Sequence, residues 1–330
     1  MCDRGGRVKV SVIVPIYRVA QTIGRCAESL FSQTLDEMQF VFVDDGSPDE
    51  SCAILREVLK RYPGREDQTL IIRHDGNRGL PTARETGLRH VVGTYVAHCD
   101  SDDWVERTMY ATLYESAVSN DADMVICESY HDRVDGSVWR RQTLPPDGDR
   151  IRGLLRGDLD DCVWCRLTKT DIYRKVRFPR KNFLEDWVQT IQVLSFCRVV
   201  NLVHQPLYHY CIGDASIPRK VGTDGNKMDV ETVCLRDLGE RVANLDLMRR
   251  FALENGLADD ADFIARKIQV RNILFPLLAM GKGRSLYLAT YPEINRRILF
   301  DRRVSRLQKV IFLAVLFRLF PLAYRLRATR

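Results

Sequence analysis

Tyr95-Val96-Ala97-His98-Cys99 runs straight into Asp100-Ser101-Asp102-Asp103-Trp104, so a mostly apolar stretch of strand length delivers three carboxylates within four residues. In an open α/β sheet, ligands bind outside the carboxyl ends of the strands. Carboxylates this crowded repel one another unless a cation sits among them, and hard oxygen ligands suit Mg²⁺ or Mn²⁺. The chemistry indicated is a phosphate substrate carried on a divalent metal. The plainer alternative is a solvated acidic turn that caps a helix starting near Trp104.

Working outward, the same design recurs. Phe40-Val41-Phe42-Val43 is a second short apolar run, and it ends in Asp44-Asp45-Gly46-Ser47-Pro48-Asp49. Val10-Ser11-Val12-Ile13-Val14 is a third, stopping at Pro15-Ile16-Tyr17. Runs of this length bounded by turn formers predict buried strands. Between them, Thr22 to Gln33, Ser51 to Arg61 and Pro81 to Val92 place apolar residues at helical spacing. Strand alternating with helix predicts an α/β fold whose mixed, mainly parallel sheet is flanked by helices. Right-handed crossovers then bring the carboxyl ends to one edge.

The chain has 330 residues, 45% of them hydrophobic, enough for one large core and a smaller appendage. Residues 302–330 hold seven Arg, one Lys and no acid, so this stretch carries +8 of a chain whose formal net charge is +6, and the remainder is −2. A nucleic-acid-binding body would carry its basic stripe on the fold itself, so no nucleic-acid partner is expected. Ten cysteines are scattered, mostly inside apolar runs. With no signal-peptide pattern ahead of the first strand, a reducing cytoplasm is the expected compartment. Cys162-Val163-Trp164-Cys165 is the one CxxC, and without a second pair at zinc-site spacing it reads as buried thiols ahead of a metal or redox site.

Taken as an ordered series, these residues resemble the family 2 glycosyltransferases: Val10 to Tyr17, then Val43-Asp44-Asp45-Gly46-Ser47, Asn77-Arg78-Gly79 with Ala83-Arg84 and Gly87, and Gly93-Thr94-Tyr95 leading into Asp100-Ser101-Asp102-Asp103. Trp164 with Leu167, Glu185-Asp186-Trp187, and Pro206-Leu207-Tyr208-His209-Tyr210 with Ser216-Ile217 resemble the family's later blocks, so the likeness covers about the first 215 residues. The resemblance implies a GT-A fold, a Rossmann-like nucleotide half joined to an acceptor half. It also implies a nucleotide-sugar donor, a divalent metal and inversion at the anomeric carbon. Carried over by position, Pro15, Tyr17 and Asp45 line the nucleoside pocket, with Asp45 accepting from a base N–H. Asp100 and Asp102 form the Asp-x-Asp element, with Asp102 the direct metal ligand, and Asp186 matches the catalytic base.

Residue chemistry adds roles and alternatives. A metal bridging the diphosphate stabilises charge building on the leaving group. Asp100 and Asp102 suit such an ion, and Asp103, pointing elsewhere, is expected to bond the sugar or ribose. An acceptor hydroxyl must lose a proton as it attacks, which a carboxylate such as Asp186 can take. Asp186 and Glu185 open an amphipathic stretch, where a helix's positive end favours acids. Glu185 is expected to orient the loop or the acceptor. Arg84 reads either as a donor-phosphate ligand or as a salt bridge to an acid at the sheet edge. Trp164 and Trp187 read either as sugar-stacking rings or as core. His209 reads either as a further metal or phosphate ligand or as a packed ring. Ser216 and Lys220 lie in a polar loop suited to a lid over the diphosphate.

From about Lys227 the pattern is helical, with apolar spacing over Val230 to Ala243, Leu247 to Asn255 and Ala261 to Leu278. Val310 to Phe317 is uniformly apolar, is interrupted by Arg318 and is flanked by arginines. It falls short of the ~20 residues a crossing needs. It reads as a cationic helix lying on an anionic inner leaflet, or else as a core or dimer helix. The expected organisation is a disordered 1–7, a GT-A domain over 8–220 (nucleotide-sugar half 8–105, acceptor half 106–220), a helical appendix over 221–300 and a membrane-associating helix over 301–330. The expected function is transfer of a sugar from a UDP-hexose or UDP-N-acetylhexosamine to a glycan or lipid-linked acceptor in surface-polysaccharide synthesis, on the inner face of the cell membrane. The alternatives are a non-catalytic glycan-binding protein on the same fold and a nucleotidyltransferase. The latter would be expected to show a Gly-rich basic phosphate loop after the first strand, which Pro15-Ile16-Tyr17-Arg18 does not offer.

Overall fold

The computed structural model describes residues 8–133, 136–212 and 229–321. The chain divides into two compact units, Met1–Leu144 with Asp160–Lys220, and Pro145–Leu159 with Val221–Arg330.

The first unit contains β1 (Val10–Ile16), α1 (Ile23–Phe31), β2 (Met38–Asp44), α2 (Ser51–Lys60), β3 (Thr69–Arg73), α3 (Leu80–Leu88), β4 (Tyr95–His98), β5 (Trp104–Val105), α4 (Met109–Ser119), β6 (Met124–Arg133) and β7 (Gly136–Arg140). After an excursion into the second unit, the chain returns to it with β8 (Arg166–Lys169), α6 (Thr170–Tyr173), α7 (Glu185–Phe196) and β9 (Val200–Cys211). The strands form one sheet in the order β3-β2-β1-β4-β8-β6-β9-β5, with β7 paired to β6. The first four are mutually parallel, β8 runs antiparallel to both neighbours, and β6 is parallel to β9. The sheet is thus parallel where the alternating strand–helix pattern was legible and mixed beyond it.

Register brings the chemistry to one edge. Ile16 faces Asp44, Asp44 faces Arg73, and Ile13 faces His98, so β1, β2, β3 and β4 release their following loops side by side. Strand order reverses around β1, which creates the crevice where such sheets bind ligands. Helix α1 buries Cys26, Ala27, Leu30 and Phe31, and the Phe31 ring meets Phe40 edge-on at 5.3 Å. A fully buried side chain of this size contributes about 1.5–3 kcal/mol. Helix α3 lies closer still. A Cβ on Gly87 would come within 2.4 Å of the Ile13 side chain, so only glycine allows that approach.

The second unit contains α5 (Arg150–Arg156), α8 (Val230–Glu254), α9 (Ile264–Arg271), α10 (Phe275–Ala279), α11 (Arg284–Ala289) and α12 (Arg306–Leu316). The segment Pro145–Leu159, expected within the acceptor half, clusters here, and the Leu154 carbonyl accepts from buried Arg266. The helices expected over Val230 to Ala243 and Leu247 to Asn255 are one 25-residue helix. Asn244 and Leu245 are both buried at the expected break, so packing carries the helix through it. Arg271 is fully buried, with its guanidinium 4.1 Å from the Tyr287 ring centre, and burial pulls its pKa down to about 10.

Candidate active site

Arg84 organises the carboxylates. It lies one turn into α3 on the face that packs against the sheet, where small Ala83 and Gly87 hold the helix close. Its guanidinium, 1% exposed, donates to Asp100 at 2.7 Å through Nη2, and through Nη1 to Asp186 at 2.6 Å and to Glu185. Asp100 comes from the loop after β4, and Glu185 and Asp186 open α7. Two stretches far apart in sequence therefore share one cation. Of the two readings of Arg84, the structure shows the salt bridge.

The segment that carries Glu185 and Asp186 is held from both sides. Leu184 sits in the left-handed region at φ 64° just before α7. The Asn182 side-chain oxygen accepts from the Leu80 N–H at 3.1 Å. Gly79, at φ 91°, adopts a backbone that side chains disfavour, and a Cβ there would lie 2.5 Å from that same oxygen. Beneath the site, the Tyr173 hydroxyl donates to Gln189 at 3.2 Å, the Gln189 amide donates to Glu185, and Glu185 accepts from Arg84. This buried chain, Tyr173–Gln189–Glu185–Arg84, ends at Asp100 and Asp186.

One guanidinium faces more negative charge than it can neutralise. Burial raises Glu185, with Arg84 pulling the other way. Burial also raises Asp100, and Asp186 adds to the effect. Asp102 is raised to about 6 by burial and then by Asp100. Its carboxylate makes no hydrogen bond or ion pair to a side chain among the described residues, and it stands beside Asp100 with lone pairs to offer. Among those residues no three His, Cys, Asp or Glu form a ready-made cage. Asp100 and Asp102 therefore fit an Mg²⁺ or Mn²⁺ that draws its remaining oxygens from phosphate and water.

Asp103, expected to bond the sugar or ribose, instead faces inward at 1% exposure. It accepts from the Tyr208 hydroxyl at 2.7 Å and the Cys211 N–H at 2.8 Å, and the Asp100 N–H donates to that hydroxyl at 3.1 Å. Asp103 thus ties the Asp-x-Asp loop to β9. Side-chain alternation along β9 sends His209 to the other face from Tyr208. There it stacks on Trp104 at 3.5 Å and bonds Asp132 and Glu106, so it joins packed rings and not Asp100 and Asp102. Trp164, stacked on Tyr208 at 4.2 Å, and Trp187 are both buried, so both are core. Ser216 and Lys220 lie outside the described residues.

Pro15 is buried in β1 opposite Val43, and Tyr17, just beyond, is 37% exposed. Asp45 follows β2. Its Oδ1 accepts from the Arg78 N–H at 2.9 Å and bonds His74 at 2.7 Å, and its Oδ2 accepts from the Gly79 N–H at 2.8 Å. A carboxylate oxygen has two lone pairs, so Oδ2 keeps one acceptor position. The described cysteines are free, and all but half-buried Cys211 are buried, the CxxC pair included. Sequence patterns did not single out His74, Tyr173 or Gln189, since a buried polar side chain has no periodicity of its own, and Tyr208 stood out only as part of a family block. Asn182, three residues before Glu185, was visible but carried no distinguishing signal.

The model of the family described as glycosyl transferase family 2 matches residues 11–177, just over half of the chain. The chain belongs to the family 2 glycosyltransferases. It is 30% identical over 233 residues to the uncharacterized glycosyltransferase YibD of Escherichia coli, an alignment covering 66% of this chain and 65% of that one. Among solved structures it is similar in fold to S. aureus TarS 1-349 in complex with UDP-GlcNAc, with a TM-score of 0.57 and 16% identity over 96% of this chain and 91% of that one. It is also similar to the mannosyltransferase PcManGT of Pyrobaculum calidifontis in complex with GDP-Man and Mn²⁺, with a TM-score of 0.53 and 15% identity over 95% and 86%. The mixed sheet with flanking helices is thus the GT-A fold of this glycosyltransferase family.

Proposed function

We propose that the chain is an inverting, metal-dependent glycosyltransferase that moves a sugar from a UDP-hexose or UDP-N-acetylhexosamine to a glycan or lipid-linked acceptor in cell-surface polysaccharide synthesis. The observation that carries this reading is the Arg84 guanidinium bonded at once to Asp100 and Asp186. Inversion needs the nucleoside diphosphate to leave on one side of the anomeric carbon and a proton acceptor on the other, so Asp100 is assigned to the ion that would hold the diphosphate and Asp186 to the acceptor hydroxyl. UDP is the first nucleotide to test because the TarS neighbour is described with UDP-GlcNAc. Mn²⁺ is the first metal to test because the mannosyltransferase neighbour is described with it.

In this mechanism Asp186, 29% exposed, takes the proton of the attacking acceptor hydroxyl. Arg84 and the buried Glu185–Gln189 pair fix its position. Pro15, Tyr17 and the remaining lone pair of Asp45 receive the nucleoside. Asp100 and Asp102 would hold the divalent ion, which when bound supplies Lewis-acid stabilisation of the departing diphosphate. A lipid-linked acceptor is confined to a membrane, so the enzyme is assigned to the cytoplasmic face.

Release of UDP from UDP-GlcNAc and UDP-glucose, measured with Mn²⁺ and with EDTA, tests the reading. Metal-dependent release is expected. Asp186→Asn should lower turnover by at least about 10²–10⁴-fold, the usual contribution of a positioned base, while donor affinity stays unchanged. Asp102→Ala should weaken donor binding only when metal is present. Nucleotide binding without any release would favour a binding protein on the same fold, and near-normal turnover by Asp186→Asn would remove the base assignment.

A further inference from the structure

Helix α12 in the second unit presents two different faces. Phe312 and Val315 are buried, and Arg284 donates to the Val315 and Leu316 carbonyls at the helix end. On another side, Leu307, Val310, Ala314 and Phe317 recur at spacings of three, four and three, one stripe of the helix surface. Of these, Leu307 is 56% exposed, Val310 61% and Phe317 66%. Beyond the two ends, Phe300 and Leu319 are exposed as well. Large apolar side chains left outward in a row mark an interaction surface.

The charge around the stripe selects the partner. Arg303 is taken up by Asp262 and Asp301, whereas Arg302, Arg306 and Arg318 are exposed, and no acid occurs anywhere in residues 302–330. A second copy docked face to face on this stripe would set these cations against themselves, because a two-fold interface is self-complementary. At 11 residues the helix is about 16 Å long against an apolar thickness of about 30 Å. No helix among the described residues is long and apolar enough to cross a membrane.

We propose that the Leu307–Val310–Phe317 stripe, framed by Arg302, Arg306 and Arg318, docks the second unit flat onto an anionic lipid bilayer, with the apolar side chains at the acyl boundary and the guanidinium groups among the phosphates. It rests on the membrane-surface part of the reading above and adds the residues and the lipid charge. Lipid-surface helices draw on both terms, apolar burial and cation attraction, and each cation near an anionic surface raises binding about fivefold at low salt.

Flotation of the full-length protein with phosphatidylcholine vesicles, and with vesicles also containing phosphatidylglycerol, tests this. Binding is expected to the anionic vesicles only and to fall as salt rises. Val310→Asp together with Phe317→Ser should lower it at least tenfold, as should Arg302→Gln with Arg306→Gln and Arg318→Gln. Metal-dependent UDP release in solution should be unchanged in both variants, which separates failure of the docking face from failure of the catalytic reading. Equal flotation of the stripe variant, or equal binding to neutral vesicles, would overturn the proposal. So would a vesicle-free dimer that Val310→Asp dissociates, since the stripe would then belong to a second copy.

Discussion

Arg84 is one buried cation among Asp100, Glu185 and Asp186, so its removal does more than delete a hydrogen bond. Arg84→Ala leaves Glu185, 4% exposed, with no compensating charge, and breaking a buried ion pair this way costs about 3–5 kcal/mol. Arg84→Lys should not restore function, because a single ammonium replaces a planar fork that reaches three carboxylates in fixed directions. Gln189→Leu takes one donor from Glu185, and an unsatisfied buried acceptor costs about 1–3 kcal/mol. Urea unfolding should rank the variants Arg84→Ala, then Gln189→Leu, then the parent in rising stability, and a parent-like midpoint for Arg84→Ala would refute the charge argument. Trp164 separates packing from recognition in the same way. As a core ring its truncation to Ala should cost about 3–5 kcal/mol of stability, with KM for donor and acceptor unchanged at temperatures where the variant stays folded. A raised acceptor KM without lost stability would return it to the sugar.

Elements whose side chains follow one simple period were legible in the sequence. Strands β1, β2 and β4 are continuous apolar runs because both faces of a parallel sheet are buried, and α1 and α2 carry clear stripes. Strand β9 was harder to read. Tyr208, His209 and Tyr210 look alike as a string, yet alternation gives Tyr208 to the Asp103 loop and His209 to Trp104 on the other face, which only the pairing of β5 with β9 decides. Helix α8 was split in the reading because Asp246 resembles a break, and burial of Asn244 and Leu245 overrides it. Ahead of α12, the turn that begins the helix holds a testable ion pair. Asp301 accepts from the Arg303 side chain at 2.7 and 3.0 Å and from its backbone N–H, and these bonds hold its carboxyl down at about 2. The unfolded value is about 3.9. A carboxyl lowered on folding stabilises above the unfolded value, and that contribution disappears as pH falls through the folded one. Arg303 is 37% exposed, so screening limits the gain to about 1 kcal/mol. Urea midpoints of the parent and Asp301→Asn should therefore differ at about pH 5 and converge toward about pH 2 to 3. A gap that stayed constant with pH would show that the pair carries no charge-dependent stability.

At the scale of the whole chain, the least legible feature was the excursion of Pro145–Leu159 out of the first unit. Its composition differs little from its flanks, and a short amphipathic helix does not announce which core it joins. Locally α5 is well specified: the Asp149 side chain accepts from the Arg152 N–H at its start, and Gly157 turns at φ 86° after its end. Within the second unit it buries Ile151, Leu154 and Leu155, and Arg152 reaches Asp262 at 3.2 Å. The expected boundary at residue 220 therefore separates this helix from its core. A chain ending at residue 220 keeps all nine described strands but leaves three large aliphatic side chains without cover, each about 1.5–3 kcal/mol poorer for it. Such a truncation should aggregate, and the same truncation with Ile151→Ser, Leu154→Ser and Leu155→Ser should be soluble and bind nucleotide, as judged by gel filtration and thermal shift with UDP. A truncated chain that is monomeric without the serines would show instead that α5 is satisfied by the first unit, and that residues 8–220 form the catalytic domain on their own.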